Sequence, residues 1–195
     1  EWLACWLSGP TRRRQRRAVE LAAPFLAGRE VVEVGCGTGL LADQFIAAGA
    51  KSYLGLDHST VAITAARART GLPAIRFEVC RADELPAGGD LIVSLGLLDW
   101  LTDEELAEFF RRHENRDYLH TFSERRSNTG QFIHRTIRAV DALLRPRAVR
   151  PRFMESEHLL ALLPPSRRAV ATVLREPGLR DAVFLTSLPV REAAR

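Results

Sequence analysis

The residues best suited to chemistry lie in one short segment, residues 33–39, which reads Glu-Val-Gly-Cys-Gly-Thr-Gly. Glycines at alternate positions let the main chain turn tightly and let a ligand approach the backbone. The helix expected to begin at Leu40 adds free N–H groups and the positive end of its dipole. The segment therefore predicts a site for an adenosine-containing cofactor. A glycine-rich turn that binds no ligand is the alternative.

Spacing narrows the choice of cofactor. A nicotinamide dinucleotide fingerprint needs G-x-G-x-x-G, and here the third glycine, Gly39, comes one position too early. An acidic residue, Asp57, ends the next apolar run about 20 residues after the loop. Its two oxygens can accept both hydroxyls of a ribose, with a helix cap as the alternative role. The adjacent His58 is then expected beside the adenine.

The segment 33–39 together with Asp57 resembles motif I and the ribose-binding acid of the class I S-adenosylmethionine-dependent methyltransferases. The resemblance implies that Asp83 receives the adenine amino group and that Arg81 or Ala82 offers a backbone N–H to the ring. It also implies that Glu33 attracts the ammonium group of the ligand and that Ser94 lies beneath its methionine moiety. The implied cofactor is S-adenosyl-L-methionine, with no metal, and the implied binding residues are Glu33, Gly35, Cys36, Gly37, Gly39, Asp57, His58, Ala82, Asp83 and Ser94.

The acceptor of the methyl group is less visible, because an in-line displacement mainly needs geometry and exclusion of water. Enzymes that methylate nucleobase amines or protein glutamine commonly carry Asn/Asp-Pro-Pro-Tyr/Phe after strand four, and residues 94–100 lack it. This segment is more similar to that of small-molecule methyltransferases. There Asp99 would orient a hydroxyl as a catalytic residue, and Trp100 would wall an apolar ring. A loop leading into a helix, with a buried Trp, explains the segment equally well.

An arginine-rich stretch within residues 123–155 occupies the place where this family inserts a substrate lid. His134 is a catalytic candidate, and Arg135 and Arg138 are candidates for contact with an anionic acceptor, because arginine pairs with carboxylates through two hydrogen bonds. The residues around Thr121 and His134 faintly resemble the magnesium-protoporphyrin O-methyltransferases, which esterify a carboxyl group. A solvated arginine-rich helix at residues 132–144 is the alternative.

The elements that must position these residues alternate between strand and helix. The fold class is therefore α/β, and it resembles the Rossmann-like methyltransferase fold: a doubly wound, mostly parallel sheet of seven strands that ends in an antiparallel hairpin. The expected strands are residues 31–34, 52–57, 75–80, 90–94, 118–122, 169–175 and 182–188.

Local signals mark the helices. Leu40 is expected to begin a helix that runs to residue 48, and Ser59 to cap a helix that runs to about residue 70. Thr102 begins a capping box ahead of residues 106–112, and Ser156 is expected to cap residues 157–163. Residues 1–28 form an N-terminal helical segment in which Pro10 separates an apolar opening from the basic run 12–17. That run is interpreted as a solvated helix face, with an anion site as the alternative.

Length and composition limit the number of domains, the source and the cellular location that we expect. The 195 residues fit a single domain, 1–195, and the natural chain is expected to begin before Glu1. A net charge of +4, with Lys51 the one lysine among 28 basic residues, suggests a bacterial source rather than a nucleic-acid surface. Three scattered cysteines indicate a cytoplasmic protein, and no run is long enough to span a membrane.

The function expected from all this is methyl transfer to a small-molecule acceptor at oxygen, either hydroxyl or carboxylate. RNA methylation is the alternative, supported by the basic run 12–17 and a pI of 9.5 but lacking interleaved aromatic residues. A catalytically inactive cofactor-binding subunit is the non-enzymatic alternative.

Overall fold

A computed structural model describes residues 2–125, 151–176, 178–179 and 181–190, the first nine of these by their backbone alone. Seven strands form one sheet in the order β3-β2-β1-β4-β5-β7-β6. Strands β1 to β5 are parallel to their neighbours, and β7 is antiparallel to both β5 and β6. The predicted fold class is thereby confirmed. The strands are β1 (Glu30–Val34), β2 (Ser52–Asp57), β3 (Ile75–Val79), β4 (Leu91–Leu95), β5 (Asp117–Ser123), β6 (Thr172–Leu174) and β7 (Ala182–Thr186).

Helices cover both faces of the sheet, and each face has its own apolar core. One core is built by α1 (Trp2–Ala22), α2 (Ala42–Ala47) and α3 (Thr60–Arg67) against one side of the strands. The opposite core is built by α4 (Asp103–Arg112) and α5 (Ser156–Ala161), to which Phe109, Phe110 and Leu159 contribute fully buried side chains. A short helix, α6 (Pro165–Arg168), precedes β6.

The strand order reverses at β1, which lies between β2 and β4. Neighbouring crossovers leave such a point toward opposite faces, so a crevice opens at the carboxyl ends of these strands. The loop after β1, the end of β2 and the loop after β4 all meet there. The fold therefore brings the predicted glycine loop, Asp57 and the segment after β4 to one edge of the sheet.

The N-terminal helix continues through Pro10. The backbone is helical from Trp2 through Ala22, so the apolar opening and the basic run lie on one helix. A proline inside a helix removes one backbone hydrogen bond, and the buried Ala18 and Leu21 downstream keep the helix on the sheet. The predicted Ser156 cap is wrong, because Ser156 is the first helical residue and its hydroxyl donates to Glu124.

The bounds of several elements differ from those predicted, most of them by one or two residues. Helix α3 ends at Arg67, three residues earlier than expected, with Ser59 as its cap as predicted. Strand β6 is shorter than expected because Pro165 starts helix α6 inside the preceding segment. The helix expected at residues 132–144 lies outside the described residues. In the part of the chain that the structure describes, no helix has the length and apolarity needed to cross a membrane.

Candidate functional site

The loop after β1 is held tightly against the end of β2. The backbone N–H groups of Gly35 and Cys36 both donate to the carbonyl of Leu56, at 2.7 and 3.0 Å. Gly35, Gly37 and Gly39 all have positive φ angles, between 54° and 75°. A Cβ on Gly39 would lie 2.5 Å from the Phe77 ring, so glycine is required there for space as well as for conformation.

Gly37 differs from Gly39 in what faces it. A Cβ on Gly37 would meet no atom of the described residues within 4 Å. Its N–H donates to Asp57 Oδ2 at 2.9 Å, which fixes the loop to the end of β2. The tip of the glycine loop is thus open backbone beside a cavity, the arrangement that the sequence predicts for a ligand.

Asp57 links the loop to the start of α3. Its second oxygen, Oδ1, accepts from the Ser59 N–H at 2.9 Å and lies 3.5 Å from His58 Nδ1. An ionised carboxylate offers about four lone-pair sites, so two remain after these two backbone bonds. Asp57 can therefore hold the loop and still accept hydrogen bonds from a pair of ligand hydroxyls.

A cavity of about 670 Å³ lies at the carboxyl ends of β1, β2 and β4. It brings together five of the predicted cofactor residues, with the side chains of His58 and Asp83 largely exposed to it. Asp83 is paired with Arg81 at 3.0 Å. The wall that follows β4 is apolar, and Trp100 is 51% exposed on it. The lining residues are Gly35, Asp57, His58, Arg81, Ala82, Asp83, Leu95, Gly96, Leu97, Trp100, Leu101 and Glu105.

A second cavity, of about 180 Å³, adjoins the first, and Gly35 and Leu95 line both. Glu33 lines this smaller cavity and is almost completely buried. Burial raises the pKa of Glu33 to about 7, with a further contribution from Asp57, while a hydrogen bond from Tyr53 and the charge of Arg14 oppose the rise. The carboxyl of Glu33 is therefore close to its ionisation point at neutral pH, where a nearby cation would favour the charged form.

Arg14 on α1 also lines the smaller cavity, and the sequence analysis did not single it out. Its guanidinium approaches Gly96: a Cβ on that glycine would lie 3.2 Å from Arg14 Nη1. Desolvation lowers the pKa of Arg14, and the charges of Asp99 and Glu33 oppose this. The sequence does contain a signal for this position. Arg14 precedes the buried Ala18 by four residues and Leu21 by seven, which places it on the buried face of the helix.

Cys36 fills the turn and is not activated. Its thiol is buried, and burial together with Glu33 and Asp57 raises its pKa. A Cβ on Gly55 would lie 3.0 Å from its sulfur, which shows how closely the side chain packs. A position near a helix start would lower the pKa of a thiol, but for Cys36 desolvation is the larger effect.

The structure does not bring the Ser94 side chain to either cavity. Its hydroxyl is fully buried and lies 2.9 Å from His120 Nδ1, whose Nε2 lies 3.1 Å from His113 Nε2. Burial lowers the pKa of His113 to about 3 and that of His120 well below its usual range, so both rings are neutral. Side chains alternate along β4, and Ser94 falls on the face covered by α4.

Asp99 lies behind the cavity wall, not on its surface. It is buried, with Oδ1 accepting from the Ser123 N–H at 2.7 Å and Oδ2 from the Ser123 hydroxyl at 2.6 Å. Its carbonyl accepts from the Arg152 N–H at 2.6 Å. These contacts give Asp99 a positioning role: it ties the turn that carries Trp100 to the end of β5.

The predicted insertion enters and leaves the fold at neighbouring points. The Arg125 N–H donates to the Met154 carbonyl at 2.8 Å, and the Met154 N–H donates to the Ser123 carbonyl at 2.9 Å. The buried Glu124 accepts from Arg175 through both carboxylate oxygens and from Ser156. His134, Arg135 and Arg138 lie outside the described residues, so their roles stay predictions. Among the residues described, no group of three or more side chains could hold a metal ion.

Three solved structures illustrate what this fold is similar to. One is magnesium protoporphyrin IX methyltransferase from Synechocystis PCC 6803 with bound SAH (16% identity, TM-score 0.69, covering 92% of this chain and 85% of that one). Another is an S-adenosylmethionine-dependent methyltransferase from Mesorhizobium loti (19% identity, TM-score 0.65, covering 89% of this chain and 96% of that one). A third is mitomycin 7-O-methyltransferase (18% identity, TM-score 0.64, covering 87% and 52%). At these identities the likeness establishes the fold.

Sequence comparison finds a family match for the central part of the chain. No curated protein matches the chain. The family model described as a methyltransferase domain matches residues 31–115, which run from β1 through α4 and include the glycine loop, Asp57 and the wall after β4. The predicted enzyme class and cofactor are both confirmed. This match and the shared fold support the predicted resemblance to the class I S-adenosylmethionine-dependent methyltransferases.

Proposed function

We propose that this methyltransferase acts on an oxygen atom, of a hydroxyl or a carboxylate, in a small-molecule acceptor. The observation that carries the proposal is the apolar wall of the large cavity, formed by Leu97, Trp100 and Leu101. This wall follows Gly96 directly and shares its cavity with the glycine loop and Asp57. A cavity of this volume, mostly apolar with a few polar groups, is typical of small-molecule sites.

The residues present fit S-adenosylmethionine. Asp57 has acceptor capacity for the ribose hydroxyls, and Asp83 with the Ala82 N–H suits the adenine edge. Glu33 in the smaller cavity is suited to the ammonium group. Gly37 leaves open space where a Cβ would stand, and Arg14 Nε is a buried donor that has no hydrogen-bond partner among the described residues. These assignments place the adenosine in the large cavity and the amino-acid end in the small one.

The reacting centre would then lie where the two cavities meet, near Gly35 and Leu95. The cofactor supplies a methyl group on a positively charged sulfur. The chain's contribution is to align the acceptor along the wall and to keep water out, which is what an in-line displacement needs.

A carboxylate oxygen fits the described residues better than a hydroxyl. Gly96, Leu97, Trp100 and Leu101 offer no base along the wall, and the neighbouring Glu105 accepts from the Thr102 N–H in the capping box. An ionised carboxylate acceptor needs no base because it is already nucleophilic. A hydroxyl would need a base from elsewhere, and the predicted His134 is the candidate. Asp99 is committed to Ser123 and is proposed to position the wall instead. The similarity in fold to magnesium protoporphyrin IX methyltransferase and to mitomycin 7-O-methyltransferase supports oxygen as the target by analogy.

The test uses S-adenosylmethionine labelled in its methyl group. The protein is incubated with separate bacterial fractions of small metabolites, RNA and protein, and the labelled product is traced. We expect label in the small-molecule fraction, and its release as methanol in mild base would identify an ester. Label in RNA would support the RNA methyltransferase alternative, and tight cofactor binding without transfer to any fraction would support the inactive subunit.

A pair of variants links the transfer to the wall. Trp100→Ala is expected to raise acceptor KM and to leave cofactor affinity within about twofold, because the indole contributes apolar area to the acceptor side. Val61→Ala is the matched control, since Val61 is 80% exposed on α3 and does not line the cavity. Equal effects of the two substitutions would remove the wall from the proposal.

A further inference from the structure

One arginine of the basic run is set apart from its neighbours. Arg16 and Arg17 form ion pairs with Glu20, and Arg17 also pairs with Glu176. Arg14 turns the other way, toward Gly96 and the smaller cavity. No hydrogen bond or ion pair joins its side chain to another residue of the described ranges, and its Nε is completely buried.

An unpartnered guanidinium in this position is costly. Arginine stays charged in proteins and carries five N–H donors, so burial without acceptors leaves hydrogen-bonding capacity unused. The charges of Glu33 and Asp99 attract Arg14 without contacting it. An anionic ligand group in the smaller cavity would give these donors their acceptor through a charge-assisted, paired hydrogen bond.

The surroundings of that cavity define which anion fits. The carboxyl of Glu33 can pair with a cation, and Gly37 and Thr38 of the glycine loop form another part of the lining. A ligand that carries an ammonium and a carboxylate on one carbon would satisfy Glu33 and Arg14 together. The amino-acid end of S-adenosylmethionine is such a group.

Resting on the proposed function, we infer that Arg14 binds the carboxylate of the cofactor's amino-acid end and that this contact makes α1 a cofactor-binding element. Together with Glu33, Arg14 then recognises both charges of that group. Two consequences follow. The protein discriminates against adenosyl compounds that lack the carboxylate, and cofactor binding holds α1 against the sheet.

The experiment compares two ligands that differ by one group. S-adenosylmethionine and its decarboxylated form share the adenosine, the sulfonium and the ammonium, and only the first has a carboxylate. Binding of both is measured by calorimetry to the wild type, to Arg14→Met and to Arg12→Met. Arg12 is the matched control, because it is exposed on the same helix and lines neither of the two cavities at the sheet edge.

We expect the wild type to prefer S-adenosylmethionine by at least about tenfold, the effect of a charge-assisted hydrogen bond. Arg14→Met should lose this preference, with affinity for the decarboxylated ligand unchanged within about twofold, and Arg14→Lys should restore it in part, since lysine lacks the paired fork. Equal weakening of both ligands, or no change in either, would overturn the assignment of Arg14.

Two further readouts keep the outcomes apart. If the wild type binds neither ligand, the proposed function fails rather than the role of Arg14. If Arg14→Met does not fold, as judged by circular dichroism, the wild-type comparison still decides, because equal affinity for both ligands contradicts the contact. Trypsin cleavage after Arg12 and Arg13 should be slowed by S-adenosylmethionine more than by its decarboxylated form at equal saturation, and equal protection would contradict the docking of α1.

Discussion

At the scale of single residues, Asp57 has two roles that its sequence position alone does not separate. It accepts backbone N–H groups from Gly37 and Ser59, and it retains acceptor capacity toward the large cavity. The structural role fixes the glycine loop relative to the end of β2, where the ribose is predicted to bind. It also means that a substitution must keep the shape of the side chain if binding is to be measured cleanly.

Asp57→Asn should lower the affinity for S-adenosylhomocysteine by at least about tenfold, because each charge-assisted hydrogen bond to the ribose contributes roughly 1.5–3 kcal/mol. Asp83→Asn is the comparison and should cost less, since Asp83 meets one amino group and is exposed beside Arg81. Calorimetry on both variants measures the difference. A larger loss for Asp83→Asn, or tighter binding of NAD than of the adenosyl ligand, would contradict the assignment.

Gly37→Ala tests the open tip of the loop. The new Cβ would project into the space assigned to the ligand, so cofactor affinity should drop by at least tenfold, about 1.4 kcal/mol. Gly28→Ala is a matched control, because Gly28 also has a positive φ and open space around it but lies far from the cavities in the turn before β1. If both variants bind the cofactor equally well, the loop tip does not contact the ligand.

Residue types and spacing predicted much of the site but not the direction of each side chain. Asp57, His58, Ala82 and Asp83 reach one cavity because they follow the carboxyl ends of neighbouring parallel strands. Ser94 lies at the predicted end of β4, but its side chain points to the face that α4 covers and reaches neither cavity. A motif predicts where a residue lies along a strand. Which face of the sheet its side chain points to depends on the register of the strand and on which helix covers that face.

At the scale of elements, the turn after β4 depends on Asp99. Its carboxylate accepts both the N–H and the hydroxyl of Ser123, which joins the 3-10 turn Leu98–Trp100 to the end of β5. These two hydrogen bonds connect the loop after β4 to the end of β5. It therefore holds the apolar wall in place although Asp99 does not line the cavity.

Asp99→Asn should reduce the free energy of unfolding by about 1–3 kcal/mol, the cost of leaving a buried partner unsatisfied. Urea denaturation measures the change. Asp43→Asn offers the control, because the Asp43–Thr70 hydrogen bond is exposed and its loss should stay within about 0.5 kcal/mol. Comparable destabilisation by the two substitutions would show that the Asp99 contact is not structural.

Element prediction succeeded where local signals agreed with packing. The bounds of β2 match the prediction, and the Thr102–Glu105 capping box is present as expected. Ser156 misleads because it is a strong local signal that tertiary contacts override. Arg14 was grouped with a solvated basic face, although the spacing of Ala18 and Leu21 places it on the buried one.

At the scale of the whole molecule, a polar chain crosses one of the two cores. Ser94, His120 and His113 connect β4, β5 and α4 inside the core built by Phe109 and Phe110. Both imidazoles are neutral in the folded state, since burial lowers the pKa of each. In the unfolded chain a histidine has its ordinary pKa near 6.5, as model peptides do.

Stability should therefore fall in acid. Below pH 6.5 the unfolded histidines bind protons that the folded ones do not, and each adds a slope of about 1.4 kcal/mol per pH unit. At pH 5 the pair removes about 3 kcal/mol relative to pH 6.5, where each unfolded histidine is already half-protonated. His113→Gln keeps a polar partner for His120 and should halve this loss, as measured by urea denaturation at several pH values. His58→Gln, on the surface, should leave the slope unchanged, and the same slope in all three proteins would contradict the prediction.

The neighbouring ends of the insertion have an evolutionary consequence. The chain leaves the sheet at Arg125 and is back beside it at Met154, where backbone bonds join the two ends. The cost of closing a loop rises only slowly with its length, so the stretch in between can be lengthened, shortened or replaced without reshaping the sheet. Under the prediction that this stretch forms a substrate lid, descendants of this protein could acquire a new substrate by exchanging one cassette, while the strands and the glycine loop are inherited unchanged.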